Sequence, residues 1–369
     1  MDIMAIRNSK NRSQRIINVL LLNASFIDNL GLMHGKMGIA IYFFHLARET
    51  KTQIYEDYAG ELIDEIYEEI TVTTPLDFEN GLAGIGWGIE YLVQNGFLEA
   101  DTDEVLEDFD NRLQPARNQI QGIGLLNGLT GLGAYYLKRI QNPASSDEKV
   151  TTLINKQMLI HLIDEMELRV ENERVMNLIN STDAFNLTWD YPVLLVFLAE
   201  VSQLNLFNFK VERMLKQLTV LLFQTKNLPQ QQSKRLLLVL ALEKLKSLKI
   251  EQLLDGPIDR LIQNLMIGID RNDITEELVP NSAFMQNGTS GIAWIYKQLF
   301  QLTGKENYQT EILYWNNHSF EFDETDQGYA GFNVTKENED KSFGLLTGLA
   351  GIGVMMRKVE ISNFLMNQP

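Results

Sequence analysis

Four side chains that could carry a proton stand beside short glycine motifs in this sequence. His34 heads the first motif, and an imidazole is the usual proton carrier near neutral pH. Asp77 and Glu79 come just before the second motif, and a carboxylate pair can act as acid and base on a glycosidic bond. Asp190 opens a further apolar segment. His34, Asp77 and Asp190 are therefore the candidate catalytic residues, although acidic residues are abundant enough for such a pair to arise by coincidence.

Composition excludes several kinds of chemistry. The chain has no cysteine, so it has no disulfide, no thiol nucleophile and no thiolate metal ligand. The formal net charge of −17 argues against nucleic-acid binding, because the phosphates would not be neutralised. The apolar run 16–22 follows basic residues and faintly imitates a signal peptide, but it is far too short to span a membrane. We expect a cytoplasmic protein without a membrane span or nucleic-acid partners.

The element that organises the chain is a glycine motif that occurs five times. Each copy has a polar residue, Gly, two variable residues, Gly, Ile or Leu, and then Gly or Ala. The copies begin at His34, Asn80, Asn127, Asn287 and Thr347. A single Gly-x-x-Gly carries little information, but five copies with shared flanks are the signature of a structural repeat.

The spacing of the copies predicts seven repeats. Neighbouring copies lie roughly 50 residues apart, except that about 160 residues separate Gly128 from Gly288. Because repeats of about 50 residues are typical of helical hairpins, this gap holds two degenerate units. The apolar segments that begin at Asp190 and Pro229 supply their inner helices.

The segments fall into two classes. The glycine-led segments are apolar nearly all round, which is typical of helices surrounded by protein, whereas the segments between them are amphipathic. We predict an all-α fold, an α/α toroid of about seven helical hairpins with inner and outer layers, forming a single domain over residues 1–369. Glycines at i and i+3 leave one helix face bare, so that another backbone can approach. The long polar segment 316–342 is a loop insertion and a candidate lid.

The first motif, His-Gly-x-x-Gly, and the repeated Asn-Gly-Leu-x-Gly-(Ile/Leu)-Gly resemble the lanthionine synthetase C-like (LanC-like) family over about residues 16–366. The resemblance implies a seven-hairpin toroid with a zinc ion at its central mouth. In that family the metal activates a peptide cysteine thiolate for addition to dehydrated Ser or Thr, which closes thioether rings. The zinc ligands come from a Trp-Cys-x-Gly motif on the fifth hairpin and a Cys-His-Gly motif on the sixth.

This sequence departs from the family at each of those places. Gln286 and Asn287 stand where the sixth motif has Cys and His, and the fifth hairpin has neither Trp nor Cys. Neutral amides are poor zinc ligands. The Asp expected before the third motif is Gly124 here, and Trp189 and Asp190 are nearest to the expected His of the fourth. We therefore expect no metal site and no cofactor, although zinc belongs to the family.

Three asparagines directly precede helix-opening glycines, where each amide could cap its helix. If the inner helices point their N-termini at one mouth, these amides and the helix N–H groups could instead contact a ligand there. The candidate ligand-contacting residues are His34, Asn80, Asn127, Trp189, Gln286 and Asn287.

Three functions remain open. The first is a pseudoenzyme, a LanC-like protein without zinc or cyclase activity that binds a peptide or peptide-like ligand, with peptide-modifying proteins as partners. The second is an α/α-toroid carbohydrate-active enzyme that uses Asp and Glu as acid and base. The third is a non-catalytic interaction scaffold whose acidic surface meets basic partners.

Overall fold

The computed structural model describes residues 3–116, 119–146, 148–171, 185–206, 208–223, 228–254, 257–272, 282–319, 330, 332 and 342–357. These residues form helices and contain no β-strand. None of the helices in these ranges has both the length and the apolar content needed to cross a bilayer. Most of the candidate lid, namely residues 320–329, 331 and 333–341, lies outside the described residues.

The α-helices of the described residues follow one another in chain order. They are α1 (Ile3–Asn23), α2 (Lys36–Thr50), α3 (Gln53–Glu69), α4 (Leu82–Gln94), α5 (Thr102–Val105), α6 (Glu107–Ala116), α7 (Leu129–Ile140), α8 (Val150–Glu171), α9 (Asp190–Ser202), α10 (Asn208–Phe223), α11 (Gln232–Ser247), α12 (Ile258–Met266), α13 (Thr289–Thr303), α14 (Asn307–His318) and α15 (Leu349–Met356). Short 3₁₀ helices lie at Ala24–Phe26 and Ile250–Leu253.

Buried and half-exposed helices alternate along the chain. Within the described residues, seven helices are buried nearly all round, and they are α2, α4, α7, α9, α11, α13 and α15. Between them lie amphipathic helices such as α3, which buries a single stripe that includes Leu62 and Ile66. The two degenerate repeats predicted from the spacing are α9 and α11, so the expected alternation is confirmed in the described part of the chain.

The helices group into two compact units. Unit 1 comprises Met1–Phe109, Asn281–Trp294 and Thr310–Ile361, and in it α2 packs against α3, α4 and α15. Unit 2 comprises Asp110–Pro280, Ile295–Gln309 and Ser362–Pro369, and in it α9 packs against α7, α10 and α11. In both units an inner helix lies against the outer helix that follows it in the chain. The single domain expected over 1–369 stays a prediction.

A buried ion pair joins two inner helices of unit 2. Lys244 Nζ on α11 lies 2.9 Å from Glu200 Oε1 on α9, and both side chains are shielded from solvent. Burial is the largest cause that raises the pKa of Glu200, and the neighbouring Lys244 charge acts in the opposite direction. The pair therefore holds a carboxylate in a place that would otherwise favour its neutral form.

The motif glycines pack against the loop that precedes their own helix. A Cβ added at Gly35, Gly81 or Gly288 would come closer than 3.0 Å to the carbonyl oxygen six residues earlier. The second glycine of the motif has the same relation, because a Cβ at Gly84 would collide with Phe78 O. The close approach inferred from the bare helix face is therefore present, but its partner is the chain's own loop.

Glycines that follow the second motif glycine do contact neighbouring inner helices. A Cβ at Gly88 would press on the Met37 side chain, and one at Gly353 would press on the Tyr42 ring. The two glycine positions thus have separate tasks, since the early ones seat a loop and the later ones let inner helices approach each other.

Candidate functional site

The motif helices receive their N-terminal caps from loop carbonyls. In each of the five motifs the first helical N–H donates to the carbonyl oxygen seven residues earlier. The pairs are Lys36 to Asn29 at 2.8 Å, Leu82 to Pro75 at 2.9 Å, Leu129 to Gly122 at 3.1 Å, Thr289 to Ser282 at 3.0 Å and Leu349 to Ser342 at 2.9 Å. This arrangement satisfies donors that a helix start otherwise leaves open.

Two sequence expectations are corrected by these caps. The N-cap residues of α4 and α7 are Gly81 and Gly128, and neither helix start has a hydrogen bond from a capping side chain. The asparagines that precede these glycines therefore do not cap the helices. The sequence also leads us to expect helix N–H groups that are free to contact a ligand. The first helical N–H of each of these helices instead donates to a loop carbonyl. A glycine with extended backbone lets the loop fold back over its own helix, so that loop carbonyls take the place of a side-chain cap.

Four loops of unit 1 are joined by backbone hydrogen bonds. We call them the motif loops, and they are residues 27–35, 75–81, 282–288 and 342–348. Met33 N–H donates to Glu79 O at 3.0 Å, and Met33 O accepts from the N–H groups of Leu345 at 2.9 Å and Leu346 at 3.0 Å. Gln286 N–H donates to Leu346 O at 2.8 Å. The polar side chains of the first, second, sixth and seventh motifs are therefore held on one connected framework.

His34 is held at both ring nitrogens. Its Nε2 lies 2.9 Å from Glu79 Oε1, and its Nδ1 lies 3.0 Å from Thr347 Oγ1. Only 1% of the residue is exposed, and Gly344 packs directly against its backbone. Three motifs thus meet at this imidazole, which fixes its orientation.

Asp77 and Asn80 stabilise the second motif loop. Asp77 Oδ1 accepts the Asn80 N–H at 2.7 Å, and Asn80 Oδ1 accepts from Asn29 Nδ2 at 2.7 Å. Burial is the largest cause that raises the pKa of Asp77, and the charge of nearby Glu79 acts in the same direction. Asp77 and Glu79 therefore each bond to a separate partner, the former to backbone and the latter to His34.

The sixth motif presents amides. Gln286 is half-buried and bonds through its backbone to the seventh motif loop, whereas Asn287 is exposed. Asn287 Oδ1 accepts a hydrogen bond from Ser282 Oγ at 3.0 Å. The carboxamide nitrogens can still donate and the Gln286 oxygen can accept, which suits a peptide backbone.

The remaining sequence-predicted residues belong to unit 2. Asp190 begins α9. Its carboxylate packs against Gly124, because a Cβ added at Gly124 would lie closer than 3.0 Å to Asp190 Oδ1. Burial raises the pKa of Asp190, and a hydrogen bond from the Leu125 backbone acts in the opposite direction. Trp189 is nearly buried with Lys234 Nζ 5.4 Å from its ring centroid, and Asn127 is exposed.

Sequence reasoning missed Thr347 and the pairing of Glu79 with His34. Thr347 occupies the position before the motif glycine, where the other copies carry His or Asn, so the alignment of the five copies already marked it. Its contact with His34 spans 313 positions in the chain, which no local pattern can indicate.

This chain is similar to one protein family in sequence and to a solved structure in fold. The profile of a family described as "Lanthionine synthetase C-like protein" matches residues 27–183 and 275–363, which is more than half of the chain. A solved structure titled "Nisin cyclase" matches with a TM-score of 0.62 at 14% identity, covering 99% of this chain and 96% of that chain. No curated protein sequence matches. The match to nisin cyclase confirms the expected all-α fold, the α/α toroid.

Proposed function

Because this chain belongs to the lanthionine synthetase C-like family, we propose that it binds a peptide or peptide-like ligand at the motif loops without zinc-dependent thioether cyclisation. The observation that carries the proposal is the Gln286-Asn287 pair in the sixth motif, where the family resemblance implies Cys and His. The chain is thus a cyclase relative that has kept the framework and exchanged the metal-binding side chains for amides.

The donor set in this region does not fit zinc. Structural and catalytic zinc sites use thiolate, imidazole or carboxylate ligands, and this chain has no cysteine at all. Asn287 Oδ1 is already bonded to Ser282 Oγ, and carboxamides are weak zinc donors. Within the described residues, no three or more His, Asp or Glu side chains are grouped so that they could hold a metal.

The same side chains suit peptide recognition. Carboxamides donate and accept hydrogen bonds, as does a peptide backbone, and Asn80 and Gln286 are half-buried on loops held by mutual hydrogen bonds. A rigid set of such groups lowers the entropy cost of binding. The net charge of −17 favours a basic peptide, or a basic peptide-modifying partner protein. The cytoplasmic location expected from the sequence stays a prediction.

Metal content and ring closure test the zinc-free part of the proposal. Protein purified without chelator should contain far less than one zinc per chain by elemental analysis. It should also leave a peptide with one dehydrated serine and one cysteine uncyclised beyond the uncatalysed rate. One tightly held zinc per chain, or ring closure that chelators abolish, would contradict the proposal.

Peptide binding is tested with two fluorescent random-peptide pools, one of positive and one of negative net charge. We expect the basic pool to bind, and Gln286→Ala and Asn80→Ala to weaken binding several-fold. Thr310→Ala on the exposed face of α14 is the matched control. Binding that survives both loop substitutions but disappears at high salt would instead support the scaffold hypothesis, since salt screens surface charge.

A further inference from the structure

Three motif loops of unit 1 bring a hydroxyl, an imidazole and a carboxylate into one hydrogen-bonded chain. Thr347 Oγ1 lies 3.0 Å from His34 Nδ1, and His34 Nε2 lies 2.9 Å from Glu79 Oε1. The three residues precede α15, α2 and α4, so only the folded unit assembles them. Nucleophile, base and orienting carboxylate are the three parts of an activated-hydroxyl site.

The protons in this chain can be assigned from the chemistry of the groups. When Glu79 is ionised its carboxylate can only accept, so the neutral tautomer of His34 that bonds to it has its proton on Nε2. His34 Nδ1 is then the acceptor for the Thr347 hydroxyl. A Ser-His-Asp triad links the same kinds of group in the same order, but there the hydroxyl bonds to Nε2 and the carboxylate to Nδ1. His34 is 1% exposed, and in the resting protein both of its ring nitrogens are held by side chains of the protein.

The surroundings of Thr347 are suited to a developing negative charge. Thr347 is half-buried, so part of the residue is open to solvent, in contrast to His34. The N–H groups of residues 349–351 bond to the carbonyls of residues 342–344, whereas the Gly348 N–H has no backbone acceptor in the described part of the chain. The N–H that follows the nucleophile is the oxyanion donor in nucleophile-elbow hydrolases, and Gly348 is also the N-cap of α15.

We propose that Thr347 is a nucleophile that accepts an acyl group from an ester, with His34 as general base and Glu79 as the group that orients His34. As Thr347 Oγ1 bonds to the carbonyl carbon, its proton passes to His34 Nδ1. His34 then gives that proton to the departing alcohol oxygen as the ester C–O bond breaks. Water, deprotonated by His34, releases the acid and restores the hydroxyl. This activity goes beyond ligand binding and does not depend on it.

The test uses full-length protein with a fluorophosphonate probe and with p-nitrophenyl acetate, neither of which requires a peptide site. The probe should add to Thr347 with loss of fluoride, as located by mass spectrometry of the digested protein. Thr347→Ala should abolish labelling and lower ester hydrolysis to background. Thr347→Ser should retain both, and Glu79→Gln should slow labelling by about 100-fold. Thr310→Ala removes an exposed threonine and should label like the wild type.

Folding of each variant is checked by helical circular dichroism and thermal melting, because the hydrogen bonds of Thr347, His34 and Glu79 also join three loops. Thr347→Ser keeps the hydroxyl and guards against loss of activity through unfolding. The proposal is overturned if the folded wild type gives no adduct at Thr347. It is also overturned if Thr347→Ala hydrolyses the ester as fast as the wild type.

Discussion

Substituting Gly84 by alanine should destabilise the protein, whereas the same substitution at Gly60 should stabilise it. Both glycines lie inside α-helices of unit 1, so both variants gain about 1 kcal/mol of helix propensity. A Cβ at Gly60 meets nothing within 4 Å, but one at Gly84 lies well inside 3.0 Å of Phe78 O, a backbone atom. Overpacking of this kind costs about 1–3 kcal/mol, and a backbone contact belongs at the upper end of that range.

The two variants should therefore differ by about 3 kcal/mol, with Gly84→Ala about 2 kcal/mol below the wild type and Gly60→Ala up to about 1 kcal/mol above it. Urea titration followed by helical circular dichroism measures the difference from the transition midpoints. If Gly84→Ala proves as stable as Gly60→Ala, the view that motif glycines exist to seat the preceding loop is wrong.

Three further outcomes follow from buried and half-buried polar groups. Burial raises the pKa of Asp190 above its ordinary 3.8. The wild type should therefore lose stability relative to Asp190→Asn as the pH rises from 3.8 through the raised pKa. Urea midpoints of the two proteins that differ equally at about pH 4 and about pH 7 would contradict this. Lys244→Met leaves the buried Glu200 without its 2.9 Å partner and should cost about 3 kcal/mol in a urea titration, while the double variant with Glu200→Gln recovers most of it. Tyr91→Phe removes the 2.7 Å hydrogen bond with buried His45 and should cost about 1–2 kcal/mol by thermal melting; an unchanged melting temperature would contradict this expectation.

The helical architecture could be predicted because hydrophobic periodicity is local. The apolar run after Asp190 and the one after Pro229 became α9 and α11, although neither carries the glycine motif. The hydrophobic pattern of each helix lies in consecutive residues, so it can be recognised without knowing which other helices pack against it. The glycine repeat likewise fixed where the inner helices begin.

The candidate site could be predicted only in part. His34 and Asn80 were marked by their motif position, but their partners Thr347 and Asn29 depend on which loops lie side by side. The capping role assigned to Asn80 failed because Pro75 O occupies the first helical N–H of α4. A backbone acceptor has no sequence signature, so this competition was visible only in the folded chain.

The pairing of the first motif loop with the last has a consequence for synthesis. Met33 O accepts from Leu345 and Leu346, and His34 meets Thr347, 313 positions downstream. At about 5–20 residues per second, a ribosome needs roughly 15–60 s to deliver that second partner. Throughout that time the nascent chain carries an unfinished unit 1, so we expect chaperones to guard its N-terminal third until the final segment emerges.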